Sequence, residues 1–309
     1  MESTPLKTDS TRYALLLKLG VTALSLALPI PAAPAGADSP CPWAGAPQEF
    51  SPAAYLPDAG RAELAGLVAC LEHPDPRIRD GFAYETLARA LREPMLSPDQ
   101  ARLLSKLLLD KLARAPGDPA GFRGPFAVLV LAEVARYDRL DAFLTEDELS
   151  ELAAAGADYL DQLTDFRGFD PQAGWRHGVA HAADLFLQLA LNPRLSPGDA
   201  RKMLDAIATK VAPTGHAWVF GEPGRLARPV LYLALTDHFS DDDWRHWFRS
   251  LEPGSQDYWQ APYQSAEALA TIHNLRAFAL EIHLQATESG EPALRRLAPM
   301  TLRLLEALP

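Results

Sequence analysis

Cysteine is scarce in this sequence. Of 309 residues only Cys41 and Cys70 are cysteines, and they have no CxxC spacing, which argues against a zinc site built from thiolates. Val and Ile are sparse beside Leu and Ala, and no window alternates with a period of two, so no strand is expected. Basic residues are outnumbered, with 29 Lys and Arg against 40 Asp and Glu and a net charge of −11. Such a surface repels phosphate backbones and anionic lipid, so nucleic acid is not an expected partner. Long apolar runs are missing as well. The stretch "LGVTALSLALPI", Leu19 to Ile30, has twelve residues, short of the roughly twenty that span a bilayer.

That stretch has another reading. Lys7, Arg12 and Lys18 precede or open it, and Ala35-Gly36-Ala37 follows as a small-x-small cleavage pattern. Together they read as a secretory signal peptide, residues 1–37, and predict a periplasmic or secreted protein. Cleavage removes three basic and two acidic residues, leaving 26 Lys and Arg against 38 Asp and Glu, a net of −12. In an oxidising compartment Cys41 and Cys70 either pair, pinning the new N-terminus to the first helix, or remain two free thiols. Residues 38–57, rich in Pro, Ala and Gly, read as a linker, and 58–309 as a single helical-repeat domain.

From residue 58 onward apolar residues recur at helical spacing. The predicted helices span 58–71, 76–92, 97–113, 123–137, 146–162, 174–191, 197–211, 224–236, 241–250, 261–284 and 292–308. Start signals punctuate them: Asp75-Pro76, Ser97-Pro98 with Gln100, Thr145 with Glu148, Ser196-Pro197 and Ser240 before three aspartates. The caps at Ser97, Thr145, Ser196 and Ser240 recur at intervals of 48, 51 and 44 residues. Arg79, Arg123, Arg176 and Arg225 recur at 44, 53 and 49. A shared stride of this length predicts an all-α fold, an α-solenoid of stacked antiparallel helix pairs like HEAT or armadillo repeats.

The candidate chemistry lies in "GWRHGVAHAADLFLQLA", Gly174 to Ala190. On a helix at about 100° per residue, His177, His181 and Asp184 share an arc of about 60°, joined by Gln188, opposite Val179, Ala183 and Phe186. Two imidazoles and a carboxylate suit a divalent metal such as zinc or iron. His216, His273 or His283 would have to add a ligand, because the Glu of HExxH is missing. The alternatives are a metal-free polar groove, or histidines that merely bond neighbouring helices. Trp175 sits where an aromatic can stack on a ligand, or pack on the preceding loop. The four arginines form either a row that grips anions or inter-repeat ion pairs with acids such as Asp80 and Glu222. Glu85 is spaced to pair with Arg89, and Tyr84 shares a face with core leucines. Trp244, Trp247, Tyr258 and Trp259 crowd a segment that breaks the rhythm and reads as an end cap.

Four segments, "HPDPRIRDGFAYETLA", "FRGPFAVLVLAEV", "DFRGFDPQAGWRHGVAHAADLFLQLA" and "GEPGRLARPV", resemble in this order the bacterial domain-of-unknown-function family 2785 (DUF2785), from about Leu64 to about Leu284. The family pattern Gly-Trp-x-His-x-x-x-His-x-x-Asp falls on His177, His181 and Asp184. The resemblance implies an all-α fold and no particular activity. Two departures accompany it: the signal peptide, and "GEPGRLAR" where a more acidic stretch is expected.

The expected function is therefore that of an exported binding or scaffold module. Its concave face would hold a protein, a peptide or an envelope glycan, with Trp175, Arg176, Arg123 and Arg225 as candidate contacts. The alternative is a hydrolase or lyase, with or without metal, built on His177, His181 and Asp184, in which a histidine is the base and an arginine steadies developing charge.

Overall fold

The structure is a computed structural model that describes residues 41–43, 51–93, 95–252 and 265–309. The expected signal peptide, half of the expected linker, and Tyr258 and Trp259 lie outside the described residues.

The repeat starts come first because they set the frame. Ser97, Thr145, Ser196 and Ser240 each accept a hydrogen bond from the backbone N–H three residues on. They open α3 (Pro98–Ala113), α5 (Glu146–Gln162), α7 (Pro197–Val211) and α9 (Asp241–Ser250), each of which starts one hairpin. Each is preceded or followed by a second set: α1 (Arg61–Cys70), α2 (Glu85–Arg92), α4 (Arg123–Leu140), α6 (Gly178–Ala190), α8 (Glu222–Ala234), α10 (Ala266–Glu288) and α11 (Ala298–Glu306). In space they sort into two rows. α3, α5 and α7 lie side by side, and α9 continues them, its Trp247 indole donating to the Leu204 carbonyl of α7. In the other row α2, α4, α6, α8 and α10 follow one another as neighbours. This is the stacked helix-pair architecture of a solenoid.

The core fills the space between the rows. Leu104 and Leu108 of α3, Leu131 and Val134 of α4, Leu152 and Leu160 of α5, Leu185, Phe186 and Leu189 of α6, Leu204 and Ile207 of α7, and Leu226, Val230 and Leu233 of α8 are all buried in one continuous cluster. At about 1.5–3 kcal/mol per buried large aliphatic side chain, this continuous layer is what holds the pairs together. Polar ties repeat at its rim. Arg102 bonds Glu148, Ser150 bonds Asp199 and Arg201 bonds Asp243, each linking one first-row helix to the next.

Several elements depart from the sequence expectation. The helix expected over 76–92 is continuous in path but widens to a π-helix at Arg79–Tyr84 before α2. The last helix breaks into Pro292–Arg295 and α11, where Pro299 lies at the new start. α6 begins at Gly178 rather than 174, because Gly174-Trp175 (β2) pairs antiparallel with Phe169-Asp170 (β1), and His177 follows with a positive φ of 57°. Part of the expected linker is folded: Pro52–Tyr55 is helical and Leu56 is fully buried. Cys41 and Cys70 are joined as a disulfide, tying residue 41 to the end of α1. Trp244 and Trp247 are buried near the far end of the stack. No described helix is long and apolar enough to cross a membrane.

Candidate functional site

Among the described residues, the connections from a first-row helix to its partner lie on one edge of the stack. Those spanning 114–122, 163–177 and 212–221 are long, whereas the return turns 141–145, 191–196 and 235–240 are short. Long loops on a rigid frame are where recognition and catalysis concentrate. Trp175, Arg176 and His177 lie in the 163–177 connection, and Arg123, His181, Asp184 and Arg225 in the first turns of the helices that follow these connections.

α6 is the middle helix of its row, so it is enclosed by α4 on one flank, α8 on the other and the first row behind. A helix in that position has no free polar face, and its polar residues must be satisfied by neighbours. His181 is turned to α4. Its Nδ1 donates to the Pro125 carbonyl at 3.1 Å, and its ring meets the edge of Phe126, with centroids 5.8 Å apart. Burial, and secondarily His177, hold its pKa down at about 3, so the ring is neutral. Asp184 is turned to α8, where both its oxygens take the guanidinium of Arg225. Burial pushes this carboxyl up against the opposing pull of Arg225, Arg228 and His177.

His177 stands at the start of α6 and faces Glu222, the first residue of α8. Its Nε2 lies 3.3 Å from Glu222 Oε1 without hydrogen-bond geometry, and has no hydrogen-bond partner among the described residues. Glu222 is itself buried and accepts from the Phe220 N–H at 2.9 Å. Burial alone would raise its pKa. The pull of His177 and the N–H groups of Phe220 and Glu222 outweighs that, and the carboxyl sits below its ordinary range. The two segments "GWRHGVAHAADL" and "GEPGRLARP" thus meet at two points, the bonded Asp184–Arg225 pair and the close approach of His177 to Glu222.

This geometry overturns the metal expectation. His177, His181 and Asp184 do not converge: the two rings are 5.9 Å apart edge to face, and the second imidazole and the carboxylate are occupied by different helices. His216 packs on Phe166 and Trp218, His273 bonds the Trp218 carbonyl, and His283 bonds Ala298 and Thr301. Among the described residues no group of three His, Cys, Asp or Glu is placed to hold a metal ion. Gln188, expected to join the trio, instead accepts from Arg139 at 3.3 Å.

The arginines are likewise divided. Arg79 pairs with Asp80, Arg123 with Glu72 and Arg225 with Asp184. Arg79 is fully buried, stacks over Phe122 and Phe126, and donates to the carbonyls of His73, Pro74 and Ala173, clamping the β1–β2 loop to the first repeat. Arg176 alone of the four has no ion pair among the described residues. It donates to the Ala120 carbonyl and lies over Phe122. Arg89 pairs with Glu93, not with Glu85. Tyr84 is half-buried against Phe126, and burial pushes its pKa up to about 12.

What remains open at the edge is aromatic. Trp175 stacks on the His177 ring at 4.8 Å, and Phe169 and Phe220 lean on Trp175 at 5.1 and 5.5 Å. Phe169, Trp175 and Phe220 are 49%, 39% and 40% exposed, and neighbouring Val219 is 68% exposed. Gly168 makes this packing feasible, since a Cβ there would fall 2.1 Å from the Phe220 ring. Sequence reasoning named Trp175 but missed Phe169, Val219 and Phe220, which lie in loops without periodicity. Glu222 was proposed only as an arginine partner.

The profile of the family of proteins of unknown function DUF2785 matches residues 108–284, more than half the chain. This chain belongs to that family. The match begins at Leu108 rather than near Leu64, so α1 and α2 lie outside it, while α4 to α8 and both of those meeting points lie within. No curated protein and no solved structure matches the chain.

Proposed function

We propose that this DUF2785 protein is an exported binding module that recognises a protein, peptide or envelope glycan through its long-loop edge. The observation that carries the reading is the exposed Phe169–Trp175–Val219–Phe220 patch seated on a rigid base. Exposed aromatics that are already ordered lose little conformational freedom when they stack on a ligand. Arg176 stands beside them with no ion-pair partner among the described residues, supplying a charged contact at the rim. Recognition through a concave helical face has less support, because Arg92–Glu133 and Arg225–Asp184 ion pairs already cross between successive second-row helices. The Cys41–Cys70 disulfide favours an oxidising compartment, in keeping with the leader-like residues 1–37.

The test is a screen of the purified protein on peptide and glycan arrays, repeated with Trp175→Ala. The expected result is a ligand whose binding falls at least about tenfold in the variant, with the thermal midpoint unchanged. Ligands bound equally by both proteins would remove the aromatic edge from the reading. The hydrolase or lyase alternative keeps one supporting observation, the left-handed His177 beside buried Glu222. It needs no metal, and it predicts turnover that Glu222→Gln abolishes.

A further inference from the structure

The C-terminal half of the second row carries a group of side chains that the aromatic edge does not use. The bidentate Asp184–Arg225 pair sets the register of α8 against α6. One turn further along both helices, Gln188 of α6 comes level with Arg228 of α8. From the other flank, Arg139 of α4 donates to Gln188 Oε1 at 3.3 Å. The Gln188 amide therefore lies between two guanidinium groups. Arg136 stands one turn before Arg139 and repels it, and Tyr232 stands one turn after Arg228, within the reach of both Arg139 and Arg228. Gln188 is eleven residues beyond His177, about 16 Å along α6, so the group is separate from the edge loops.

Arg136, Arg139 and Arg228 have no ion pair among the described residues, in a chain with 40 acidic residues against 29 basic ones. Every carboxylate on α4, α6 and α8 faces another group: Glu133 takes Arg92, Asp138 takes Arg194, Asp184 takes Arg225, and Glu222 lies against His177. Glu281 of α10 rests against Gly224, a turn before Arg228. Arginines in a last helical turn commonly bond its final carbonyls, and neither Arg136 nor Arg139 does so among the described residues. Gln188 has given its oxygen to Arg139 and keeps its amide N–H groups to offer. Burial raises the pKa of Tyr232 against the pull of Arg228 and Arg139, so its hydroxyl is a neutral donor, and it has no hydrogen-bond partner among the described residues. Arg139 is half-buried, and burial, then Arg136, hold its pKa down. A cation held partly out of water beside a second cation, with no counter-ion, is a cost that a bound anion would remove.

We propose that Arg136, Arg139, Gln188, Arg228 and Tyr232 form a site for the phosphate group of a small phosphate monoester. Donors come from three neighbouring helices with no carboxylate among them, which is the arrangement that grips a tetrahedral oxyanion. A phosphate monoester carries close to two negative charges at neutral pH. It therefore matches three guanidinium groups better than a carboxylate or a sulfate ester, each with one. The acidic remainder of the chain disfavours a long polyanion and limits the ligand to one such group.

The experiment is calorimetric titration of the full chain with methyl phosphate at low ionic strength. The wild type should bind at one site. Arg139→Gln/Arg228→Gln should bind at least about tenfold more weakly. Arg61→Gln/Arg303→Gln, an equal charge change at exposed positions of α1 and α11, should bind within about twofold of wild type. Arg139→Lys keeps the charge without the planar fork and should bind severalfold more weakly, as should Tyr232→Phe. Arg228 is exposed, so Arg228→Gln alone keeps the fold and should also bind severalfold more weakly if the double variant does not fold. Absence of saturable heat in the wild type, equal affinity in the site and control variants, or methyl sulfate or acetate binding as tightly as methyl phosphate would each overturn the assignment. Retention on phosphatidic acid vesicles that methyl phosphate fails to displace would overturn it in favour of a membrane surface.

Discussion

His181 must carry its proton on Nδ1, because Pro125 offers that nitrogen only a carbonyl oxygen. The ring is enclosed, and its pKa is down at about 3 against an ordinary 6.5. Between those two values the unfolded chain takes a proton that the native chain refuses. Stability therefore falls on acidification through that window, by up to about 1.4 kcal/mol per pH unit. Replacing His181 with Leu should flatten this dependence, at a cost of about 1–2 kcal/mol at neutral pH for the stranded Pro125 carbonyl. Urea titrations followed by circular dichroism at pH 7 and pH 4.5 provide the check, and an undiminished pH difference in the variant would refute the assignment. Glu222 works differently, because its folded pKa lies below the ordinary 4.5. Its stabilisation is present above that value and is lost as pH falls through the folded one. Glu222→Gln should cost about 1–3 kcal/mol at pH 7, and the gap from wild type should close in acid. Both residues were visible as chemistry in the sequence, but their partners were not. A helical wheel places His181 and Asp184 on one side, yet cannot show that different helices occupy the two flanks.

At the scale of elements, the legible part was the part written in local rules. Two Ser-Pro starts, one Thr-x-x-Glu start and Ser240 before three aspartates marked the four first-row helices, and all four caps form as hydrogen bonds. The illegible part came from tertiary contacts. Nothing local in "RDGFAY" signals a π-turn, which accompanies the burial of Arg79 under Phe122 and Phe126. Nothing in "GFDPQAGW" has the length of a strand, and the two-residue ladder depends on Asp170, which accepts from Gln172 and Ala173 in the turn. The α6–α8 junction is where an element-level prediction is sharpest. Arg225→Met leaves the Asp184 carboxylate without its partner in a site where it is only 21% exposed. A loss of about 2 kcal/mol is expected, less than for a fully buried pair. Asp184→Leu/Arg225→Met should lose less than the single variant, because no stranded charge remains. Chemical denaturation of the wild type, both singles and the double closes the cycle, and strict additivity would show that the pair does not join the helices.

Across the whole molecule, stability is distributed along a row of similar interfaces, so the ends are the weakest places. The far end is closed by α11 packed on α10 and α9, with Trp244 and Trp247 buried beneath. The near end has a covalent device instead. The Cys41–Cys70 disulfide closes a segment of 29 residues, holding Cys41 against the end of α1 while Trp43 packs against Phe82 and Tyr55. A closed loop of that length removes about 3.6 kcal/mol of chain entropy from the unfolded state. Adding reductant should therefore lower the thermal midpoint of the wild type by several degrees. In Cys41→Ser/Cys70→Ser the midpoint should start lower and no longer respond to reductant. α1 and α2 should lose amide-exchange protection first, while α6 and α8, enclosed by neighbours on both sides, keep theirs. If exchange instead rose evenly along the stack, the bond would be acting on the unfolded chain alone, without anchoring the first repeat.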